Sequence, residues 1–338
     1  MQKIRVEEAV GMRLLHDMTA ISEDGYKGPR FKRGHVIQKE DIPAFLEMGK
    51  NHIYVEEKNE GLVHEEEAAL RVLEKGTGQG LSWGPPSEGR YKVTADYDGL
   101  FVLNEAGLSA LNRTPDYTFA VLRQAVPVRK GELCVGARIV PLMTEEENLR
   151  QAVQAAERYY PLFKVLPYRP LKTAIVITGT EIYEGRIDDA FEAILRRKLR
   201  AYSAEVIGAK ICPDEKKAIE AAAEGFLKEG AELLLMTGGM SVDPDDLTPG
   251  VIRRLSEDFL FQGLPVQPGN MLTIGKKGSA YLVGVPGASM HAPVTSLDLF
   301  LPRIFAGFPF DRETALAFGE GGIDICRRWP DLAADLQD

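Results

Sequence analysis

The chain has 338 residues and a formal net charge of −9, with 44% hydrophobic and 27% charged residues. This length allows two or three domains at about 150 residues each, and the composition is that of a globular protein. The negative charge argues against a nucleic-acid-binding protein, which carries a basic surface. No apolar run approaches the roughly 18 residues of a membrane span, and the first residues lack the apolar core of a signal peptide. We therefore expect a cytoplasmic protein that does not bind membranes.

The first half of the chain is predicted to be rich in β-structure. Residues 1–58 are expected to form a small β-rich module, and residues 59–89 a charged helix over 62–76 followed by a linker of Gly and Pro residues. Residues 90–145 contain short apolar runs between turns, which predicts a small β domain. The three cysteines are scattered without metal-ligand spacing, which predicts buried or idle thiols.

The second half of the chain alternates predicted strands and helices. Strands are expected over 173–178, 205–211, 232–236 and 280–285, and helices over 188–202, 214–228, 247–258 and 290–305. Asp214 is expected to cap the second of these helices. The alternation predicts a three-layer α/β/α domain with a mainly parallel sheet over residues 171–310. Residues 311–338 are expected to pack as a C-terminal tail.

Three of the predicted strands end in glycine-containing loops, which start at Thr178, Thr237 and Val285. Loops at the carboxyl ends of strands in a doubly wound sheet converge on one crevice. Glycines let the backbone approach a ligand closely, and helix N-termini and hydroxyl groups bind phosphate. Glu181 and Asp246 suit Mg²⁺, which is usually held by one or two carboxylates and substrate oxygens. The three loops therefore predict a site for an anionic ligand and a divalent cation.

Each loop also has a purely structural interpretation. Thr178–Gly179 and Pro286–Gly287 are compatible with ordinary turns, and Asp245 or Asp246 could cap the helix that contains Pro249. Three such loops at strand ends, two of them with acidic residues, nevertheless favour a binding site over unrelated turns.

The loops resemble those of the molybdopterin-binding domain of molybdenum-cofactor biosynthesis proteins, in particular the molybdopterin molybdenumtransferase-like family. Residues 178–181 read Thr-Gly-Thr-Glu where the family has Thr-Gly-Asp-Glu. Residues 238–246 read Gly-Gly-Met-Ser-Val-Asp-Pro-Asp-Asp where it has Gly-Gly-x-Ser-Val-Gly-x-x-Asp. Residues 268–271 and 285–289 are similar to its Pro-Gly-Lys-Pro and Leu-Pro-Gly-Asn-Pro-x-Ser segments. The family's Asp, Gly and Lys are replaced by Thr180, Asp243 and Asn270.

The resemblance implies an enzyme that binds molybdopterin, or its adenylylated form, with Mg²⁺, and that inserts molybdate. It implies that Glu181 and Asp246 are catalytic and hold the metal, and Asp243 is a further candidate metal ligand. The residues expected to contact the cofactor are Thr178, Gly179, Thr180, Gly238, Gly239, Ser241, Pro286, Gly287 and Ser289.

Two other functions remain open. The replacement of a Lys and of a carboxylate favours a non-catalytic carrier or sensor of the cofactor. A related domain occurs in competence-damage-type proteins, which favours a nucleotide pyrophosphatase. The resemblance also implies a homodimer and an exchange of cofactor with an adenylylating protein and with molybdo- or tungsto-enzymes. Residues 1–58 resemble small β-clip modules of the SAF type.

Overall fold

The structure is a computed structural model that describes residues 2–21, 27–55, 60–240 and 246–328. The chain divides into two compact units. The first comprises residues 1–97, 101–124 and 130–165, and the second comprises residues 98–100, 125–129 and 166–338. Within the described ranges, no helix combines the length and the apolar character needed to cross a membrane.

The strands and helices up to residue 167 are, in chain order, β1 (Gln2–Arg5), β2 (Met18–Ile21), β3 (Lys27–Phe31), α1 (Ile42–Glu47), β4 (His52–Val55), β5 (Leu62–His64), α2 (Glu65–Gly76), β6 (Leu81–Trp83), β7 (Tyr91–Ala95), β8 (Gly99–Leu103), α3 (Glu105–Arg113), β9 (Tyr117–Val121), β10 (Val126–Val128), β11 (Leu133–Ile139), β12 (Met143–Glu145), α4 (Glu146–Arg158) and β13 (Phe163–Pro167).

The first unit contains small antiparallel sheets. Strands β6, β7, β11 and β9 lie side by side in that order, and β1 pairs with β4. Leu14, Ile37 and Phe45 are fully buried in a small core near the N-terminus, where the ring of Phe45 stacks on Phe31 with centroids 4.4 Å apart. Helix α3 was not predicted from the sequence. Asn104 caps it by accepting a hydrogen bond from the amide of Gly107 at 3.0 Å.

The elements from residue 172 onward are β14 (Lys172–Thr178), α5 (Thr180–Tyr183), α6 (Phe191–Arg200), β15 (Glu205–Cys212), α7 (Lys216–Lys228), β16 (Leu233–Thr237), α8 (Thr248–Leu255), β17 (Asp258–Gln262), β18 (Thr273–Lys277), β19 (Ala280–Gly284), α9 (Ser296–Ala306), α10 (Arg312–Leu316) and α11 (Ile325–Arg328).

The second unit is built on a six-stranded sheet in the order β15-β14-β16-β19-β18-β17. The first four strands are parallel, and β18 and β17 complete the sheet in antiparallel pairing. One face is covered by apolar residues of α6 and α9, and the other by apolar residues of α7 and α8. Because both faces are covered, β14 and β16 are almost continuously apolar. This arrangement confirms the predicted three-layer α/β fold with a mainly parallel sheet.

Several local predictions were wrong. Asp214 does not cap α7, which follows Glu215 and has no side-chain cap. Helix α9 starts at Ser296, later than predicted, because Thr295 and Asp298 form a capping box that sets its N-terminus there. Strands β17 and β18 were not predicted at all.

Candidate functional site

The first site loop follows β14. Gly179 has φ 153° and ψ 110°, a conformation that residues with a side chain rarely adopt. The amide and the hydroxyl of Thr180 donate to Asp214 Oδ2 at 2.8 and 3.3 Å, and the amide of Asp214 donates to Thr180 Oγ1 at 3.1 Å. These reciprocal bonds hold Thr180 against the end of the neighbouring strand β15 and bring a carboxylate next to position 180.

Glu181 lies on the single turn of α5 with an exposed side chain. Its carbonyl oxygen accepts hydrogen bonds from the amides of Arg186 at 2.8 Å and Ile187 at 3.3 Å. The backbone at Glu181 is therefore fixed by the loop that follows it, while the carboxylate faces solvent.

The second site loop begins at the end of β16 and touches the first. A Cβ at Gly238, where φ is 82°, would lie 2.1 Å from the carbonyl oxygen of Thr178. The carbonyl of Gly239 accepts a hydrogen bond from the amide of Thr248 at 3.3 Å, at the start of α8. The glycine pair is thus the point at which β14, β16 and α8 meet.

Three buried threonine hydroxyls belong to the segments that meet at this glycine pair, which are the ends of β14 and β16 and the start of α8. They belong to Thr178, Thr237 and Thr248, whose relative exposures are 3%, 0% and 0%. Each hydroxyl oxygen lacks a hydrogen-bond partner within the part of the chain that the structure describes. Buried polar groups in native proteins almost always have a partner. The three hydroxyls therefore point to a bound ligand or solvent at this position.

The third site loop follows β19 and is partly buried. Pro286 is buried, whereas Gly287 is exposed and a Cβ there would meet nothing within 4 Å. The side chain of Ser289 is 2% exposed, and its hydroxyl is hydrogen-bonded to that of Thr295 at 3.0 Å. Met240 of the second loop packs against the end of β19, since its Cε would lie 2.6 Å from a Cβ at Gly284.

Two of the predicted site residues, Ser241 and Asp243, lie outside the described residues. Asp246 is described and is half-buried just before α8. Among the described residues, there is no group of three or more His, Cys, Asp or Glu side chains that could hold a metal ion. The metal ligands predicted from the sequence therefore remain predictions.

Sequence reasoning did not identify Asp214 or Thr248 as site residues. Asp214 was taken as a helix cap, although it directly follows the predicted strand that ends near Cys212 and so lies at the same sheet edge as the other loops. For Thr248 the sequence predicts only a place near the start of a helix. The three cysteines are buried, as predicted, and burial raises the pKa of the Cys212 thiol to about 11. This cysteine at the end of β15 is therefore a neutral packing residue.

Comparison with known proteins identifies the domain that carries these loops. Residues 174–306 match a family model described as "Probable molybdopterin binding domain". This domain belongs to the molybdopterin-binding domain family. The matched residues contain most of β14, all of β15 to β19, and all three site loops. Residues 3–57 match a separate family model, described as a domain of unknown function.

Curated relatives resemble the chain over this region. A molybdopterin molybdenumtransferase of Haemophilus influenzae is 28% identical over 211 residues, which are 60% of this chain and 49% of that protein. A CinA-like protein of Mycolicibacterium gilvum is 30% identical over 125 residues, which are 37% of this chain and 29% of that protein. The chain spans about half the length of the molybdenumtransferase that it matches.

A solved structure of the molybdopterin biosynthesis enzyme MoaB from Thermus thermophilus is 22% identical and covers 42% of this chain and 99% of its own, with a TM-score of 0.35. The fold assignment of the molybdopterin-binding domain is based on its strand order and its three layers.

The described residues fit the phosphate group of a pterin ligand. The free hydroxyls of Thr178, Thr237 and Thr248 can donate hydrogen bonds to phosphate oxygens. At Gly238 a side chain would collide with Thr178, so the glycine lets the second loop lie directly against the end of β14. Mg²⁺ needs only one or two protein carboxylates when substrate oxygens complete its shell, and Glu181 and Asp246 are candidates for that role. The donor set therefore suits an anionic ligand, with or without a cation.

Proposed function

We propose that this chain acts in molybdenum-cofactor biosynthesis as a molybdopterin molybdenumtransferase, which inserts molybdate into adenylylated molybdopterin with Mg²⁺. The observation that supports it most is the set of three buried threonine hydroxyls, on the segments that meet at Gly238 and Gly239, that have no hydrogen-bond partner among the described residues, within a domain that matches the molybdopterin-binding family model. The match to a molybdopterin molybdenumtransferase supports the reaction class.

In this proposal the three loops have different roles in binding the ligand. Thr178, Gly179 and Thr180, together with Gly238, Gly239 and Ser241, bind and orient the pterin phosphate, and Pro286, Gly287 and Ser289 form the opposite wall. The hydroxyls donate hydrogen bonds to phosphate oxygens, and the glycines let the backbone come close. Ser289 acts through the loop backbone, because its own hydroxyl is bonded to Thr295.

The acidic residues supply the metal site in the same proposal. Glu181 and Asp246 hold Mg²⁺, with Asp243 as a further ligand. When bound, Mg²⁺ neutralises negative charge on the phosphate oxygens of the substrate. Asp214 places an additional carboxylate at position 180, where the family has an acidic residue and this chain has Thr180. The first loop therefore retains a negative charge despite the substitution.

The test is AMP release from adenylylated molybdopterin in the presence of Mg²⁺, with and without molybdate. We expect molybdate-stimulated release by the wild type and its loss in Asp246→Ala. Asp258→Ala is a matched control, because Asp258 is an exposed carboxylate at the far edge of the same sheet. Absence of AMP release by the wild type would refute the proposal.

A carrier or sensor of the cofactor is the second candidate, and the neutral Asn270 in place of a lysine favours it. It predicts that molybdopterin binds without any AMP release. The CinA-like relative supports a third candidate, a nucleotide pyrophosphatase. That function predicts AMP release from ADP-ribose that does not depend on molybdate.

The proposal extends to partners. A labile dithiolene cofactor calls for transfer from an adenylylating protein and onward to molybdo- or tungsto-enzymes. We also propose a homodimer. A monomer mass, measured by light scattering at working concentration, would contradict the dimer but would leave the proposed reaction unchanged.

A further inference from the structure

A buried lysine lies beneath the third site loop. Lys198, on α6, has a side chain that is only 6% exposed. Its ammonium group donates hydrogen bonds to Asp298 Oδ1 at 2.7 Å and to the carbonyl oxygen of Pro293 at 2.5 Å. Burying an ammonium group is costly unless charge and hydrogen bonds compensate. Leucine or methionine would fill the same volume without that cost, so the lysine requires an explanation other than packing.

The partner carboxylate ties the ammonium group to the start of α9. Asp298 is the third residue of α9, and its Oδ2 accepts hydrogen bonds from the amide of Thr295 at 2.7 Å and from its hydroxyl at 3.3 Å. Burial raises the pKa of the Asp298 carboxyl, and the charge of Lys198 opposes that rise. Removal of the lysine would therefore weaken the acceptor that holds Thr295.

Thr295 links Asp298 to the third site loop. Its hydroxyl is hydrogen-bonded to that of Ser289 at 3.0 Å, and both side chains are almost fully buried. Lys198, Asp298, Thr295 and Ser289 thus form one continuous chain of polar contacts. Its last member belongs to the Pro286–Ser289 segment that was predicted to contact the cofactor.

The start of α9 holds a second loop in the same way. The amide of Ser296 donates to the carbonyl of Pro268 at 3.2 Å, and its hydroxyl donates to the carbonyl of Gly269. A Cβ at Gly269 would lie 2.6 Å from the hydroxyl oxygen of Ser296, so the contact requires glycine. The first turn of α9 therefore fixes the segment after β19 and the segment before β18 together.

We propose that Lys198 is a positioning residue for the candidate site, which fixes the Pro286–Ser289 loop through Asp298 and Thr295 in the conformation that receives the ligand. This inference rests on the proposed function for the identity of the ligand. The hydrogen-bonded link from Lys198 to the loop does not depend on the proposed function, because it is present without any ligand.

The test compares Lys198→Met with Leu199→Ala. Leu199 is the next residue on α6 and is 1% exposed, so its truncation lowers stability without removing the ion pair. We expect both variants to lower the melting temperature. Only Lys198→Met should accelerate hydrogen exchange of backbone amides over residues 287–296, with no change over 174–178.

Affinity for molybdopterin provides the second measurement. We expect Lys198→Met and Ser289→Ala each to weaken binding by about fivefold, and the double variant to be no weaker than either single one, because residues in one hydrogen-bond network are not additive. If Lys198→Met does not fold, Thr295→Val against Thr295→Ser tests the same chain, since only valine removes the hydroxyl.

Unchanged exchange over 287–296 in Lys198→Met, or additive losses of affinity, would overturn the inference. If the wild type does not bind molybdopterin, the proposed function fails, and the exchange measurement alone then decides whether Lys198 positions the loop.

Discussion

Gly238 is a residue of the second site loop at which a single added methyl group should strongly destabilise the fold. Gly238→Ala places a Cβ 2.1 Å from the carbonyl oxygen and 2.5 Å from the hydroxyl oxygen of Thr178. The closest atom belongs to the backbone of β14, which is central in the sheet and cannot yield without disturbing its pairing with β15 and β16. Alanine at φ 82° also costs about 1–2 kcal/mol, and overpacking adds about 1–3 kcal/mol.

We therefore expect Gly238→Ala to lower the free energy of unfolding by about 2–5 kcal/mol, measured by urea denaturation. Gly287→Ala is the matched control, because its Cβ would meet nothing within 4 Å. It should change stability by less than about 0.5 kcal/mol. A loss of molybdopterin affinity in Gly287→Ala at unchanged stability would support ligand contact by the third loop. Wild-type stability of Gly238→Ala would refute the close approach of β14 and the second loop.

Substitutions at three other residues test other parts of the chain. Burial raises the pKa of Glu65 to about 7, so stability should fall as the pH rises from about 4.5 to 7. Glu65→Gln should remove this dependence and stabilise the protein by up to about 3 kcal/mol at pH 8, at 1.36 kcal/mol per pKa unit, in urea titrations at pH 5 and pH 8. An unchanged pH dependence would contradict the assigned pKa. Asp214→Ala should cost about 1–3 kcal/mol because the amide of Thr180 loses its acceptor, whereas Asp214→Asn should cost less. Equal losses in the two variants would show that the hydrogen bond is unimportant. Asn104→Ala should lower the free energy of unfolding by about 1 kcal/mol, because α3 loses its cap. Asn104→Asp should retain most of the stability, because aspartate also caps helices, and thermal melts can check both variants.

The sequence predicts β14 and β16 well because both faces of these strands are buried under helices. Strands β14 and β16 lie between helices on both faces, so nearly every residue is apolar and the run is easy to recognise. Strand β17 lies at the sheet edge, where Asp258 and Gln262 are exposed, and its short mixed pattern is not distinctive. Helix α3 did carry a readable signal, since Asn104 precedes a run of good helix formers.

The candidate site was only partly predictable because its key contacts depend on strand order. Glycines after strands reveal Gly179 and Gly238 directly. The contact between Thr180 and Asp214 joins residues 34 positions apart. It exists because β14 and β15 are neighbours in a register that sets Thr178 opposite Cys212. A single sequence does not give that order, so Asp214 was interpreted from its local position as a helix cap.

The position of Asp214 changes how the departures from the family motif should be weighed. Thr180 replaces an acidic residue and Asn270 replaces a lysine, and both changes taken alone argue for binding without catalysis. The carboxylate of Asp214 accepts hydrogen bonds from Thr180, so a negative charge lies next to the first loop despite the substitution. The lost cation at Asn270 and the added carboxylate at Asp243 then remain as the charge differences between this sequence and the family pattern. One missing positive charge weakens the hold on an anion, but it leaves the acidic residues proposed to bind Mg²⁺ in place, which favours the transferase over the carrier.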